Sequence, residues 1–176
     1  AQSIVFASTS HLDGACPPKP TWPEHIRYAW PLYPYDIYRA KADGSGLEAL
    51  TDNPKYDAEP IVSADGRSIV FGSQRDGDFD IYRMDADGSN VQRLTDTLGY
   101  DGGPWFSPDG SRIVWRAWHP QTEQEKAQWR ANMNNDYIES TPLDIWVMDA
   151  DGGLRFISDV YQRDQRLIRA LANTAG

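Results

Sequence analysis

An all-β fold of three repeated four-stranded units follows from two features of the sequence. One is a 44-residue period, and the other is a set of Asp-Gly turns between short apolar runs. Asp65-Gly66 and Asp109-Gly110 stand 44 apart, as do Asp43-Gly44 and Asp87-Gly88. Tyr56-Asp57 and Tyr100-Asp101 keep that offset, and so do Ile69-Val70-Phe71 and Ile113-Val114-Trp115. Asp36-Ile37-Tyr38 recurs as Asp80-Ile81-Tyr82 and again as Asp144-Ile145-Trp146. Asp-Gly between alternating apolar runs is a strong hairpin signal, because glycine accepts positive φ without steric cost. Four antiparallel strands in about 40–45 residues make one propeller blade.

The middle unit shows the pattern most simply. Its strands are predicted at 59–63, 68–73, 80–85 and 91–95, with turns at Ala64-Asp65-Gly66, Asp76-Gly77 and Asp87-Gly88. The units run 1–51, 52–95 and 96–158. From second to third strand the middle unit takes 11 residues (Ile69 to Asp80), the first 32 (Ile4 to Asp36) and the third 31 (Ile113 to Asp144). The outer units therefore carry insertions of about 20 residues at one topological place. Equivalent loops share one face, where repeat insertions often form the binding surface. The first insertion, 11–34, has six prolines and is predicted irregular but stiff. The second contains a predicted helix over 122–135, with Thr122 and Glu125 at capping-box spacing and Trp129 and Met133 at i,i+4. The tail, 159–176, breaks the repeat: Val160, Leu167, Ile168 and Leu171 form a helical stripe with Asp159 as N-cap.

The segments "EPIVSADGRSIVFGSQRDGDFDIYRMDADGSNVQRLT" and "GPWFSPDGSRIVW" resemble the repeats of TolB-like β-propellers, and the likeness covers nearly all of 1–158. "RAWHPQT…TPLDIWVMDADG" and "CPPKP…LYPYDIYRA" resemble a narrower bacterial group, the Tol biopolymer transporter-like proteins. The resemblance implies a three-bladed, partial TolB-like propeller with one helical insertion and a C-terminal helix. It also implies a periplasmic or extracellular, envelope-associated setting. Closed propellers of that type have six blades, so three leave two flanks uncovered. A different protein is the first candidate to cover them, self-covering by the tail and an insertion the second, and a second copy the third.

Composition narrows the function. Net charge is −9, with 26 acidic and 17 basic residues, so a phosphate backbone is repelled and nucleic acid is not expected as partner. No run approaches the ~20 apolar residues of a membrane span. The Ala1-Gln2 opening suits a mature end after signal cleavage and equally a trimmed chain. Cys16 is the only cysteine. His11, Cys16 and His25 are the sole metal candidates, without the ligand spacing zinc requires. Asp76, Asp78 and Asp80 hint at calcium, but Ile81-Tyr82 interrupts the loop and turn hydrogen bonding explains them better.

No cofactor and no enzymatic activity is expected. Neither a Gly-x-Ser-x-Gly elbow nor a phosphate loop occurs. The expected function is protein–protein scaffolding within a larger envelope complex. The alternatives are a carbohydrate- or peptide-binding sensor and the non-catalytic propeller part of a longer hydrolase. Partner contacts are expected at Trp22, Trp30, Tyr33, Trp118 and Trp129 on the insertions, and at Leu167 and Leu171 on the tail. A ligand face is expected from Tyr56, Asp57, Arg75, Tyr100, Asp101, Arg116 and His119, with Glu59 nearby. The structural alternative is that these Asp and Tyr side chains bond between blades.

Overall fold

The computed structural model describes residues 3–9, 17–21, 26 and 28–151. Three antiparallel sheets follow one another along the chain. The first blade contains β1 (Ser3–Ser8), β3 (Asp36–Lys41) and β4 (Glu48–Ala49), in the order β1-β3-β4. The second contains β5 (Asp57–Val62), β6 (Ser68–Ser73), β7 (Asp80–Asp85) and β8 (Gln92–Arg93), in chain order. The third contains β9 (Tyr100–Phe106), β10 (Arg112–Trp118) and β12 (Asp144–Asp149). Registers repeat as the period requires: Ser8 opposes Asp36 and Ser73 opposes Asp80. The fold is therefore a partial propeller of TolB type.

Blades stack through apolar faces. Ile37 and Leu50 of the first meet Ile69, Phe71, Tyr82 and Met84 of the second. Val70 and Ile81 on the other face of the second meet Phe106, Ile113, Trp115 and Met148 of the third. Strand β6 is thus buried on both faces, and its run Ile69-Val70-Phe71 is continuously apolar for that reason. Two arginines 44 apart lock the stack: Arg39 donates to the Ala86 carbonyl (2.9 Å) and Arg83 to the Ala150 carbonyl (3.0 Å).

The inner strand of the second blade starts at Asp57, two residues before the predicted start, because a bulge between Ala58 and Ile61 lies inside it. The fourth strand shrinks to Gln92–Arg93. Thr95 still reaches back, its hydroxyl accepting from Ile81 N at 2.9 Å.

The insertions meet. Strand β2 (Ala29–Pro31) pairs antiparallel with β11 (Tyr137–Glu139), joining residues more than 100 positions apart. Helix α1 (Glu123–Asn134) carries the predicted capping box, Thr122 accepting from Glu125 N while the Glu125 carboxylate accepts from Thr122 N. The two insertions thus form a clasp over the blades. It packs Leu32, Trp129, Met133 and Ile138 onto Tyr56, Phe79 and Tyr100, and it leaves a pocket.

Candidate functional site

Positions just before and inside the inner strands build the site. The 44-residue period brings Tyr35, Tyr56, Phe79 and Tyr100 into one aromatic ladder. Successive centroids stand 5.6, 5.2 and 5.2 Å apart, and Tyr33 adds an edge contact at 6.1 Å. Below the clasp Tyr56, Phe79 and Tyr100 of this ladder form one wall of a cavity of about 160 Å³. Leu32, Ile138 and Leu143 form the other wall, Glu59 and Arg116 lie at the base, and Tyr28 and Trp30 stand at the mouth. The mouth residues are exposed, 62% and 54%.

Glu59 holds this base together. Its φ is +58° and that of its repeat equivalent, Gly103, is +60°, so the bulge demands a left-handed residue and glycine is the unstrained choice. Glu59 accepts from Gly103 N (2.7 Å) and from Arg116 Nη2 (3.2 Å), and Arg116 Nη2 also donates to the Tyr100 hydroxyl (3.3 Å). This half-exposed ion pair adds little stability by itself; its effect is to fix the guanidinium over Gly103. Burial, reinforced by the Glu59 charge, pushes the Tyr56 and Tyr100 phenols well above their ordinary value, so both remain protonated donors.

The expected ligand face divides in two. Tyr56, Tyr100 and Arg116 line the pocket. Asp57, Arg75, Asp101 and His119 brace the blades. Asp57 is fully buried and accepts from Ser73 (2.5 Å), Arg75 (2.7 Å) and Asn53 (2.9 Å). Burial pushes its carboxyl up while Ser73 and Arg75 pull it down, with a net rise. The guanidinium of Arg75 also lies over the Tyr82 ring at 5.0 Å. In the third blade Asp101 accepts from Trp115 Nε1 (2.6 Å) and faces His119 Nε2 at 3.2 Å. These carboxylates bond chiefly inside their own blade, not between blades as the structural alternative held. The bonds between blades here are from backbone: Asp57 N to Tyr35 O and Asp101 N to Phe79 O, both 2.9 Å.

The contact residues expected on the insertions also separate. Trp30 is exposed at the pocket mouth. Tyr33 is half-buried and donates to the Pro18 carbonyl at 3.2 Å. Trp118 is half-buried against Trp129 at 5.9 Å. Trp129, expected at a contact surface, is core: it is 2% exposed and donates through Nε1 to Asp78 at 2.6 Å. The helix turns it inward because its i,i+4 partner Met133 packs on the same cluster. Trp22, His11, Cys16, His25, Leu167, Leu171 and the helix expected over 159–173 lie outside the described residues.

The three aspartates of the calcium hint have separate partners. Asp76 accepts from the Tyr82 hydroxyl, Asp78 from Trp129, Phe79 N and Gly99 N, and Asp80 from Arg93 and Thr95. Among the described residues no three His, Cys, Asp or Glu side chains converge to hold a metal. No helix among them is long and apolar enough to cross a membrane.

Asp80 yields a pH prediction. Burial pushes its carboxyl up to about 7, against the pull of Arg93 at 2.6 Å. Burial likewise lowers Arg93, but the Asp80 charge and hydrogen bond, together with the Tyr82 and Asp76 charges, more than restore it. The pair is uneven because Asp80 is fully buried and Arg93 one-third exposed, so the acid loses more hydration than the ion pair returns. A folded value above the unfolded one favours the fold below about pH 4, and that contribution is lost as pH rises through about 7. The urea midpoint is therefore expected to fall between pH 5 and pH 8, and Asp80→Asn to flatten this step. Equal slopes in the two proteins would refute the assignment.

Sequence reasoning found Tyr56, Tyr100, Arg116 and Glu59 but missed Tyr28, Leu143 and Glu139. Leu143 was within reach, since it precedes Asp144 as Tyr35 precedes Asp36 and Phe79 precedes Asp80. Tyr28 and Glu139 depend on the β2–β11 pairing, for which no repeat supplies a signal.

Comparison with known proteins agrees with the propeller fold. A TolB from Agrobacterium tumefaciens is 30% identical, with a TM-score of 0.56 over 70% of this chain and 40% of that one. TolB of Acinetobacter baumannii is 20% identical, TM-score 0.52, over 72% of this chain and 27% of that one. Kuenenia stuttgartiensis hydrazine synthase, 15% identical with TM-score 0.52 over 82% of this chain and 20% of that one, shares the fold alone. The chain thus spans two-fifths or less of each of these proteins. No curated protein matches it. The family model described as the TolB beta propeller domain matches residues 34–144, most of the chain, and the protein belongs to that family.

Proposed function

We propose that this chain is a non-catalytic interaction module whose clasped face engages another protein within a larger complex of the cell envelope, on its periplasmic or extracellular side. The observation that carries the reading is Glu59. A left-handed non-glycine residue costs roughly 1–2 kcal/mol, and such strain gathers at binding sites. Here it places a carboxylate, and through it Arg116, at the base of a pocket rimmed by exposed aromatics. Exposed Trp and Tyr around a pocket are frequent anchors of protein interfaces. The resemblance to bacterial Tol-type proteins supports the envelope setting, and a charge of −9 suits a basic partner surface. A non-catalytic role fits the mutual engagement of the ionisable groups: Asp57 with Arg75, Asp101 with His119 and Glu59 with Arg116.

A photo-crosslinking residue at Tyr28 is expected to trap one envelope polypeptide in cells. The same probe at Val91, exposed on the outer side of the second blade, should not. Trp30→Ala is expected to abolish trapping while shifting stability by no more than about 0.5 kcal/mol, the usual effect at an exposed position. Identical adducts from both probe positions, or substrate turnover lost in Glu59→Ala, would reject the reading.

A further inference from the structure

We propose that the pocket under the clasp accepts one uncharged aromatic ring ending in a hydroxyl, the side chain of a tyrosine presented by the partner polypeptide. The proposal rests on the interaction reading above and specifies the group recognised. Size sets the first limit. The cavity is about 160 Å³, and an apolar cavity of roughly 150 Å³ holds a single benzene ring. The walls set the second. Leu32, Ile138, Leu143 and the Phe79 ring give an apolar slot, and the ladder rings offer faces and edges for offset or edge-on contact with an incoming ring.

The base explains the hydroxyl. Tyr56 lines the pocket and is only 4% exposed, and its hydroxyl meets no hydrogen-bond partner among the described residues. The neighbouring Tyr100 hydroxyl accepts from Arg116 and keeps its own proton free to donate. Two tyrosines that line the cavity therefore carry O–H donors with no acceptor among the described residues. A phenol oxygen entering between them supplies one, and its proton can pass to the Glu59 carboxylate as a hydrogen bond.

Charge excludes the competing side chains. The lining carries Glu59, Glu139 and one arginine, but Glu59 is already paired with Arg116 at 3.2 Å, and a lysine ammonium entering the apolar slot would shed its water without a free carboxylate at the walls to replace it. A carboxylate meets both Glu59 and Glu139, the latter already accepting from Gln128 and Asn132.

The test titrates the intact chain with N-acetyl-tyrosinamide, N-acetyl-phenylalaninamide, N-acetyl-lysinamide and methyl glucoside, following the Trp30 indole by NMR. Tyrosinamide is expected to saturate and to bind about fivefold more tightly than phenylalaninamide, the effect of one net hydrogen bond. Lysinamide and the glucoside should leave the indole unshifted. Tyr56→Phe is expected to erase the fivefold ratio while retaining phenyl binding. Leu143→Trp, at a wall position that is 43% exposed, should block both aromatic amides without loss of fold. Equal affinity of the two aromatic amides, no saturation by tyrosinamide, or displacement by the glucoside would overturn the proposal. If crosslinking from Tyr28 traps a polypeptide but tyrosinamide does not bind, this inference falls and the interaction reading stands. Amide binding with no trapped polypeptide overturns both the polypeptide source and the interaction reading.

Discussion

Trp129→Ala is expected to destabilise the protein by about 3–5 kcal/mol, the usual range for truncating a buried tryptophan. Two losses add. The indole fills the space between helix α1 and the second blade, packed on Trp118 and Met133. Its Nε1 also donates to the buried carboxylate of Asp78, whose second oxygen accepts from Gly99 N at 3.0 Å. Trp129→Phe separates the terms, because it keeps most of the bulk and removes the donor; a smaller loss of about 1–3 kcal/mol is expected, the cost of an unsatisfied buried acceptor. Urea unfolding of the three proteins measures both steps. A change below about 1 kcal/mol for Trp129→Ala would mean that the helix does not dock on the blade.

The second large effect is a single methyl group. Gly99→Ala is expected to cost roughly 3 kcal/mol, the upper end of overpacking penalties, and to lower the yield of folded protein. Gly99 has φ +141° and is buried where the connection enters the third blade. An added Cβ would stand 2.3 Å from the Trp118 carbonyl oxygen and 2.9 Å from the Cα of His119, so backbone has to move. Gly66→Ala is the control. Its φ is +72°, but nothing lies within 4 Å of the added atom, so only the left-handed penalty of about 1–2 kcal/mol applies. Equal losses in the two variants, read from thermal or urea midpoints, would show that the contact at Trp118 is not tight.

The blades were legible because each is a local object. Asp-Gly turns, two-residue alternation and a fixed period are all carried by neighbours in sequence, and strands β6 and β7 fall at their predicted bounds. The helix was legible for the same reason: Thr122 and Glu125 cap it across three residues. The clasp was only half legible. Two insertions on one face could be counted, but the pairing of Trp30 with Ile138 joins chain segments that no local rule connects. The misplacement of Trp129 shows the limit of inferring exposure from membership of an insertion. An insertion that folds back buries its own aromatics, and the 3.6-residue period states which residues share a face but not what that face meets. The repeat singled out Asp57 and Asp101 for a ligand face, and the fold engages both carboxylates inside their own blades. Whether such carboxylates face a ligand or brace a strand depends on partners such as Ser73 and Trp115, which only the fold identifies.

The exchange at the pocket base gives the repeats addresses. Where the second blade has Glu59 and Gly72, the third has Gly103 and Arg116 at the same repeat positions. In each blade the large group lies over that blade's own glycine: a Cβ on Gly103 would lie 2.5 Å from the Arg116 guanidinium, and one on Gly72 would lie 3.3 Å from the Glu59 carboxylate, while Glu59 reaches across the seam to Gly103 N and Arg116. Blades of near-identical backbone are thereby made non-interchangeable. A chimera carrying a second copy of blade two in place of blade three would bring two glutamates to the seam with no arginine between them. A chimera with blade three doubled would leave two arginines and no carboxylate. Shuffling or duplicating these units would preserve every strand and every turn, yet break the lock that tells each blade which neighbour it belongs beside.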